Sequence, residues 1–264
     1  MVFEGRTHGV LSICKWKEAR PMVRTKNFAD IRGILFDKDG TLVDFHGTWL
    51  PAYRSLATSF ANGDPSLAGR LLRLGGADPD SDEIDANSVF AVGPISDVAA
   101  IWHTLLEDWE LEELNTAVID GLAAGTLHHC RAFDGMAALL KRLSALGFRL
   151  GVATNDGENG SRAMLERLDL IDSLDFVAGW DSGFAAKPAP DMVDGFCQAT
   201  RLAPEAVVVV GDSVADMEMA KQAQAGVSVG VLSGTGGRKD LVKIADVIIE
   251  SVAELEALLG GDGQ

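Results

Sequence analysis

Two aspartates, Asp37 and Asp39, follow a short apolar run and have the spacing to act on one reacting centre. The run at residues 31–36 has the length of a buried strand, and Gly40 comes directly after the aspartates. Side chains at positions i and i+2 of an extended backbone point to the same side. A glycine allows a sharp turn and brings backbone N–H groups close to an anion. The pattern therefore predicts two carboxylates beside an anion-binding loop, which suits acid–base or nucleophilic chemistry.

The Asp-x-Asp-Gly pattern also occurs in calcium loops and in ordinary turns. An EF-hand loop requires further oxygen ligands and a glutamate at its twelfth position. That position is residue 48, where the chain has Thr48. The sequence thus argues against an EF-hand, while the ordinary turn stays open on this pattern alone.

Two further polar stretches offer groups that suit a phosphate. Thr154 and Asn155 follow an apolar run at residues 148–153, and their hydroxyl and amide groups can bond phosphate oxygens. Lys187 lies in an Ala-Lys-Pro-Ala-Pro loop, where the prolines restrict the backbone around it. Each stretch has a plainer alternative, because Thr-Asn-Asp-Gly is a good turn sequence and a lone loop lysine is usually solvated.

A second pair of aspartates, Asp212 and Asp216, follows four consecutive valines at residues 207–210. Consecutive β-branched residues predict a strand that is buried on both faces. The i, i+4 spacing at the start of a helix places both carboxylates on one face, toward the carboxyl end of that strand. Asp212 or the adjacent Ser213 can also cap the helix, and capping is compatible with metal binding.

The elements that position these residues alternate between helix and strand from residue 133 onward, which predicts an α/β fold with a parallel sheet. Residues 43–131 show helical patterns instead, which predicts an all-helical insertion after the first strand. Because the carboxyl ends of parallel strands face one crevice, we expect the four polar stretches at one rim. The predicted strands are residues 31–36, 148–153, 175–178, 207–210, 227–231 and 247–249. The predicted helices are residues 49–60, 66–74, 95–107, 110–123, 136–146, 161–168, 190–200, 214–224, 238–244 and 252–259.

The four polar stretches resemble, in order, the four motifs of the haloacid dehalogenase superfamily in its phosphatase form. Residues 37–42, Asp-Lys-Asp-Gly-Thr-Leu, are similar to the first motif, and counterparts of the other three follow. The resemblance implies a Rossmann-like parallel sheet core with a helical cap domain inserted after the first strand. We therefore predict an N-terminal extension at residues 1–29, a core at residues 30–44 and 132–264, and a cap at residues 45–131.

The resemblance also implies a role for each residue. Asp37 would attack phosphorus to form an aspartyl-phosphate, and Asp39 would protonate the leaving oxygen and then activate water. The expected catalytic residues are Asp37, Asp39, Thr154 and Lys187. The groups expected to bind the phosphoryl oxygens are the Gly40 N–H, Thr154, Asn155 and Lys187. The expected metal ligands are Asp37, Asp39 through its backbone carbonyl, Asp212 and Asp216.

The charge of such a site predicts a divalent cation. Four aspartates would meet a phosphomonoester that carries nearly two more negative charges, and Lys187 supplies a single positive charge. Repulsion of this size would raise the carboxylate pKa values or expel the substrate unless a hard cation lies among them. Carboxylate and phosphate oxygens are the ligands that Mg²⁺ prefers, so the expected cofactor is Mg²⁺.

The composition narrows the classes of partner and compartment. The 264 residues are 47% hydrophobic and 23% charged, which is typical of a globular protein, and the formal net charge of −16 argues against a nucleic-acid partner. The sequence has no apolar run long enough to cross a membrane. Three widely spaced cysteines, Cys14, Cys130 and Cys197, favour a reducing compartment and a cytoplasmic location. The sequence leaves the oligomeric state open.

The predicted function is that of a Mg²⁺-dependent phosphatase that hydrolyses a small phosphomonoester through an aspartyl-phosphate. Likeness to the phosphoglycolate phosphatase branch, including residues 231–236, points to phosphoglycolate as a possible substrate. A phosphomutase of the same family would keep all four motifs, and a non-catalytic sensor of phosphate or Mg²⁺ would keep the fold. Asp39 argues against the sensor, since a sensor has no need of a second carboxylate.

The sequence leaves the roles of several other residues open. Lys38 departs from the bulky apolar residue often found between the two aspartates of the first motif, and the sequence does not explain it. His46, Trp49 and Arg54 follow that motif closely and could reach the substrate from the start of the cap. The glycine-rich residues 230–237 lack a nucleotide-binding register and are expected to shape a loop at the same rim.

Overall fold

The computed structural model describes residues 28–260 of the chain. Most of the predicted N-terminal extension, with Cys14, lies outside the described residues. Within residues 28–260, no helix has the length and apolar character that a bilayer crossing requires.

A sheet of six parallel strands forms the core, which confirms the predicted α/β class. The strands lie side by side in the order β3-β2-β1-β4-β5-β6, so the first strand is central and the chain leaves it in both directions. Such a reversal of strand order opens a crevice at the carboxyl ends. The strands are β1 (Gly33–Phe36), β2 (Arg149–Ala153), β3 (Phe176–Ala178), β4 (Val207–Gly211), β5 (Val227–Val231) and β6 (Val247–Ile249).

The central strands are apolar throughout because helices cover both faces of the sheet. Alternate side chains of a strand point to opposite faces. Ile34 and Phe36 accordingly belong to one buried cluster, whereas Leu35 belongs to another with Val207 and Val209. The helices of the core are α6 (Met136–Ala145), α7 (Glu158–Arg167), α8 (Asp191–Thr200), α9 (Val214–Gln222), α10 (Arg238–Leu241) and α11 (Leu255–Gly260).

Between β1 and β2 the chain forms helices with an apolar core of their own. Tyr53 stacks on Phe90 with ring centroids 3.6 Å apart, and the buried Trp102 donates its indole N–H to the Leu71 carbonyl at 2.9 Å. The boundaries predicted for this cap stay a prediction. Its helices are α1 (Phe45–Phe60), α2 (Pro65–Gly75), α3 (Val89–Val92), α4 (Ile95–His103) and α5 (Leu111–His129).

The cap helices differ from the predicted ranges at their ends. Helix α1 begins at Phe45 rather than residue 49, because the Asp44 side chain caps it by accepting the Gly47 N–H at 2.9 Å. Helix α5 continues to His129 instead of stopping at residue 123, and its last turns still bury Thr126. The four-residue α3 is too short to produce a helical pattern in the sequence.

The two chain connections between cap and core run next to each other. Val43 forms an isolated antiparallel bridge with Ala132, and the Asp44 N–H donates to the Arg131 carbonyl at 2.8 Å. The first connection starts directly after the Asp37–Thr41 loop. The cap is therefore joined to the core at the carboxyl edge of the sheet.

Candidate active site

The carboxyl ends of three neighbouring strands supply the first, second and fourth polar stretches. Asp37 follows β1, Thr154 follows β2 and Asp212 follows β4, and these strands are adjacent in the sheet. Lys187 comes from the loop between β3 and α8. All four sequence-predicted stretches thus reach one edge, as parallel strands require.

Lys187 lies between two carboxylates. Its Nζ is 2.5 Å from Asp37 Oδ1 and 2.6 Å from Asp216 Oδ1. All three side chains are buried. Burial alone would lower the pKa of Lys187, but the carboxylates of Asp216 and Asp37 hold this pKa above its ordinary value. Lys187 is therefore a permanent positive charge beneath these two aspartates.

Asp37, Asp212 and Asp216 form an acidic cluster in which one oxygen from each side chain lies within 4.8 Å of the others. Burial raises the pKa of Asp37 well above its usual value; Lys187 opposes this shift, and Asp216 and Asp212 add to it. Burial and the nearby Asp216 raise the pKa of Asp212 to about 6. The cluster thus carries more negative charge than Lys187 can balance.

The glycine-rich loop after β5 holds Asp212 in place. Asp212 Oδ2 accepts the backbone N–H of Thr235 at 2.7 Å, and Ser233 donates its hydroxyl to the Gly40 carbonyl at 2.7 Å. A side chain on Gly234 would begin 2.0 Å from Asp212 Oδ2. The loop was expected at this rim, but its contacts with Asp212 and Gly40 had no signal in the sequence.

A capping box at the start of α9 positions Asp216. Ser213 caps the helix, and Asp216 Oδ2 accepts the Ser213 backbone N–H at 3.0 Å and its hydroxyl at 2.6 Å. The same carboxylate contacts Lys187 through Oδ1. Helix capping, the plainer alternative for this stretch, therefore occurs together with membership of the acidic cluster.

A second buried lysine organises the other carboxylate of the first motif. Lys38 forms an ion pair with Asp39 and a second one with Asp156, whose Oδ2 is 2.8 Å from Nζ. Trp49 of the cap donates its indole N–H to Asp39 Oδ1 at 3.0 Å. Burial raises the pKa of Asp39 to about 6, with Lys38 opposing the shift and Asp156 adding to it. Asp39 is thus held apart from the acidic cluster.

Thr154 and Asn155 do different work from each other. The buried Thr154 accepts the Asp156 backbone N–H on Oγ1 at 3.1 Å, which is the predicted turn, and its O–H can still donate to an anion. Asn155 donates to the Lys187 carbonyl at 3.3 Å and accepts the Lys187 N–H at 2.9 Å. In the structure this amide group, which was expected on a phosphoryl oxygen, bonds the backbone of the Lys187 loop.

The structure contradicts the role predicted for the Gly40 N–H. We expected this N–H to bind a phosphoryl oxygen, but it donates to the Val43 carbonyl at 2.7 Å. Gly40 adopts φ = 79°, in the left-handed region that favours glycine, and a Cβ there would lie 2.7 Å from Asp212 Oδ2. Gly40 is needed for the turn and for the close approach of Asp212.

The residues considered at the start of the cap separate into two groups. Trp49 reaches the site through its hydrogen bond to Asp39. His46 accepts the Ile84 N–H at 3.2 Å, and Arg54 pairs with Asp82 at 3.1 Å. These two side chains bind a loop of the cap.

The donor set of the acidic cluster fits a hard divalent cation. Oxygen atoms of Asp37, Asp212 and Asp216 converge. The pKa values of Asp37 and Asp212 are raised, partly because the carboxylates repel one another, and a cation would relieve this repulsion. Carboxylate oxygens suit Mg²⁺ better than they suit soft transition metals. The fit rests on Asp37, Asp212 and Asp216, since the Asp39 carboxylate faces Lys38 and Trp49.

Known proteins share this sequence pattern and fold. The model of the haloacid dehalogenase-like hydrolases matches residues 31–224. A phosphoglycolate phosphatase from Rhodospirillum rubrum is 36% identical over 129 residues, which cover 48% of this chain and 53% of that protein. That alignment therefore spans about half the length of the relative. A phosphoglycolate phosphatase from Escherichia coli K12 is 29% identical over 262 residues, with 88% of this chain and 94% of that protein covered.

A solved structure extends the likeness to three dimensions. A protein from Thermotoga maritima assigned as a beta-phosphoglucomutase superimposes with a TM-score of 0.70 at 23% identity, covering 88% of this chain and 100% of that chain. At this level of identity, the likeness establishes the fold and carries no argument about the reaction.

Proposed function

The chain belongs to the haloacid dehalogenase-like hydrolase family, and on that premise we propose that it is a Mg²⁺-dependent phosphatase of small phosphate monoesters. The observation that carries the proposal is the convergence of Asp37, Asp212 and Asp216 at one sheet edge, with Lys187 paired to Asp37 and Asp216. A carboxylate nucleophile, an acidic cluster and a buried ammonium group together suit transfer of a phosphoryl group.

Asp37 is the nucleophile of this proposal. Its carboxylate oxygen attacks phosphorus, a P–O bond to the enzyme forms, and the bond between phosphorus and the leaving oxygen breaks. Burial and two neighbouring carboxylates disfavour the charged form of Asp37, whereas the ammonium group of Lys187 at 2.5 Å favours it. Lys187 thus favours the ionised, reactive form of Asp37, and a cation bound among the carboxylates would favour it further. Lys187 does not itself accept a proton from the substrate.

Asp39 moves the protons. In the first step its carboxylic acid gives a proton to the leaving oxygen, and in the second step its carboxylate takes a proton from the water that attacks the aspartyl-phosphate. That attack releases inorganic phosphate and regenerates Asp37. A general acid and base works best when its pKa lies near the operating pH, and burial brings the pKa of Asp39 to about 6.

The remaining residues stabilise and position the phosphoryl group. Thr154 is buried at the same carboxyl edge of the sheet as the acidic cluster, and its O–H can donate to a phosphoryl oxygen. Asn155 acts indirectly, because its two hydrogen bonds hold the backbone of Lys187. Asp37, Asp212 and Asp216, with the Asp39 backbone carbonyl, would hold Mg²⁺. When bound, the ion neutralises charge on the carboxylates and on the transferring phosphoryl group.

The substrate class follows from the relatives. Two relatives are named phosphoglycolate phosphatase, one of them aligned over 94% of its own length. We therefore place 2-phosphoglycolate first among the esters to be tested. The cap adjoins the site through Trp49, so cap residues are expected to select among esters.

Phosphate release from a panel of esters tests the proposal. The panel contains 2-phosphoglycolate, sugar phosphates, nucleotides and p-nitrophenyl phosphate, each with Mg²⁺ and with EDTA. Metal-dependent release that favours one ester is the expected result. Isomer formation without phosphate release would indicate a phosphomutase, and silence across the panel would reject catalysis and favour a sensor.

A variant of the nucleophile completes the test. Asp37→Asn should abolish turnover while the protein stays folded, because the amide is nearly isosteric and cannot attack phosphorus. Asp120→Asn, a change at an exposed position of α5, is the matched control and should keep full activity. Retained turnover in Asp37→Asn, with contaminating phosphatases excluded, would contradict the role of Asp37.

A further inference from the structure

Lys38 is a buried lysine to which the proposed reaction assigns no step. Only 1% of its surface is exposed, and its Nζ lies 3.7 Å from the Met164 sulfur. Removing an ammonium group from water costs several kcal/mol unless carboxylates compensate. Lys38 has two such partners, Asp39 and Asp156. The chain therefore maintains a costly charge at a position where an apolar side chain could be buried without that cost.

The Lys38 network connects three parts of the fold. Asp39 follows β1, Asp156 follows β2, and Trp49 belongs to the first helix of the cap. Lys38 binds Asp39 Oδ2, and Trp49 donates to Asp39 Oδ1 at 3.0 Å. Each oxygen of Asp39 thus has its own donor, so rotation of the carboxylate would break both contacts.

The two donors differ in charge. Neither the Lys38 ammonium group nor the Trp49 indole N–H can accept a hydrogen bond, but the ammonium group is positively charged and the indole is neutral. Oδ2, which contacts that charge, is therefore the oxygen less suited to carry a proton, and Oδ1, on the side of Trp49 and the cap, is the oxygen left for proton transfer. Asp156 in turn contacts the Lys38 ammonium group through Oδ2 at 2.8 Å.

We propose that Lys38 is a positioning residue that aims Oδ1 of Asp39 at the leaving oxygen of the ester, with Asp156 as its anchor. This inference rests on the proposed function, because it assumes that Asp39 protonates the leaving group. Its geometric part, the fixed rotation of the Asp39 carboxylate, holds whichever ester is hydrolysed.

Dependence on the leaving group tests the inference. An acidic leaving group such as p-nitrophenol departs with little protonation, whereas an alkyl alcohol requires a proton from the enzyme. The quantity compared is kcat/KM, which reports the reaction up to release of the leaving group and leaves out the second step, where every ester needs Asp39. Lys38→Met should lower kcat/KM for an alkyl phosphate by about 100-fold or more, within the range that general acid catalysis contributes. Its effect on p-nitrophenyl phosphate should stay below about tenfold. Asp39→Asn should show the same selectivity, since it removes the proton donor itself.

Two further variants separate positioning from stability. Lys243→Met changes a mostly exposed lysine that pairs with Asp240 at 2.7 Å, and it should leave both rates unchanged. The double variant Lys38→Met with Asp156→Asn removes one positive and one negative charge, so Asp39 alone loses its lysine partner and Asp156 leaves no second unpaired carboxylate. Its melting temperature should lie closer to the wild type than that of Lys38→Met, while the selectivity against alkyl phosphates remains.

Equal losses for both kinds of ester, or recovery of alkyl phosphate hydrolysis in the double variant, would overturn the inference. A crystal structure of the double variant gives a readout that needs no turnover, and the Asp39 carboxylate should be rotated away from Trp49. An unchanged Asp39 conformation would also overturn the inference. A wild-type protein that releases no phosphate from any ester would instead reject the proposed function, and the crystal structure would still decide whether Lys38 fixes Asp39.

Discussion

Replacing Lys187 with methionine gives the sharpest test of how charge is balanced at the sheet edge. The methionine side chain is one atom shorter and uncharged, so packing changes little and the charge is lost. The Lys187 Nζ is 2.5 Å from Asp37 Oδ1 and 2.6 Å from Asp216 Oδ1. All three side chains are buried, so water cannot readily replace the lost charge. The variant therefore leaves the acidic cluster without its counter-charge.

The size of the effect follows from the distances. Oxygens of Asp37, Asp212 and Asp216 lie within 4.8 Å of one another. Two unit charges at that separation repel by about 3 to 4 kcal/mol at an effective dielectric constant near 20. Removing one partner of a buried ion pair typically costs about 3 to 5 kcal/mol. We expect Lys187→Met to lower the free energy of unfolding by about 3 to 5 kcal/mol in EDTA.

Magnesium should recover part of this loss, because a divalent cation neutralises the same carboxylates. The assay is urea unfolding of Lys187→Met and wild type, in EDTA and at saturating Mg²⁺. Lys221→Met, an exposed lysine on the same helix as Asp216, is the control and should match the wild type in both conditions. The kcat of Lys187→Met should fall by about 100-fold or more, since a charge that stabilises the transferring phosphoryl group is lost.

Two outcomes would refute this reasoning. A loss below about 1 kcal/mol in EDTA would show that the carboxylates do not depend on Lys187 for charge balance. Equal losses with EDTA and with Mg²⁺ would show that the cation does not bind among these carboxylates.

Two other changes probe the Asp212 side of the cluster. Burial and Asp216 raise the pKa of Asp212 to about 6, so its contribution to the free energy of unfolding is fully present below pH 4 and is lost as the pH rises through 6. Asp212→Asn should therefore stabilise the metal-free protein by up to about 3 kcal/mol at pH 7.5 and by about half as much at pH 5, and urea unfolding that gives equal effects would contradict this. A methyl group on Gly234 would lie 2.0 Å from Asp212 Oδ2, so Gly234→Ala should weaken Mg²⁺ binding about tenfold or more in calorimetry. Gly160→Ala, which meets nothing within 4 Å, should leave the affinity unchanged.

The strands are encoded locally and could be predicted, whereas their order in the sheet was not predicted. Residues 227–231 and 247–249 form strands with the predicted bounds, because short apolar runs between turn residues have few alternatives. The approach of Asp37, Asp212 and Lys187 follows from a general property of parallel sheets. Helix ends were less accurate where a cap decided them, as Asp44 does for α1.

The directions of side chains in the loops could not be predicted. The i, i+2 rule placed Asp39 beside Asp37, but the rule holds for extended backbone, and strand β1 ends at Phe36, before both aspartates. Asp39 therefore points to Lys38 and Trp49. The Lys38–Asp156 pair is formed between loops that are distant in sequence, and a single sequence carries no sign of such a contact. The sequence gives the charges of Lys38 and Asp156 but not the distance between them.

The distribution of charge explains how a chain with a net charge of −16 can act on an anion. Lys38 and Lys187 are each shared between two carboxylates, so neither is free to bind a substrate by itself. The side chains that meet at the carboxyl edge carry a formal charge of −3, and they are Asp37, Lys38, Asp39, Asp156, Lys187, Asp212 and Asp216. A dianionic ester would be repelled by this edge, whereas a bound divalent cation removes most of the excess. The lysines thus orient the carboxylates, and attraction of the ester falls to the cation and to hydrogen-bond donors such as Thr154.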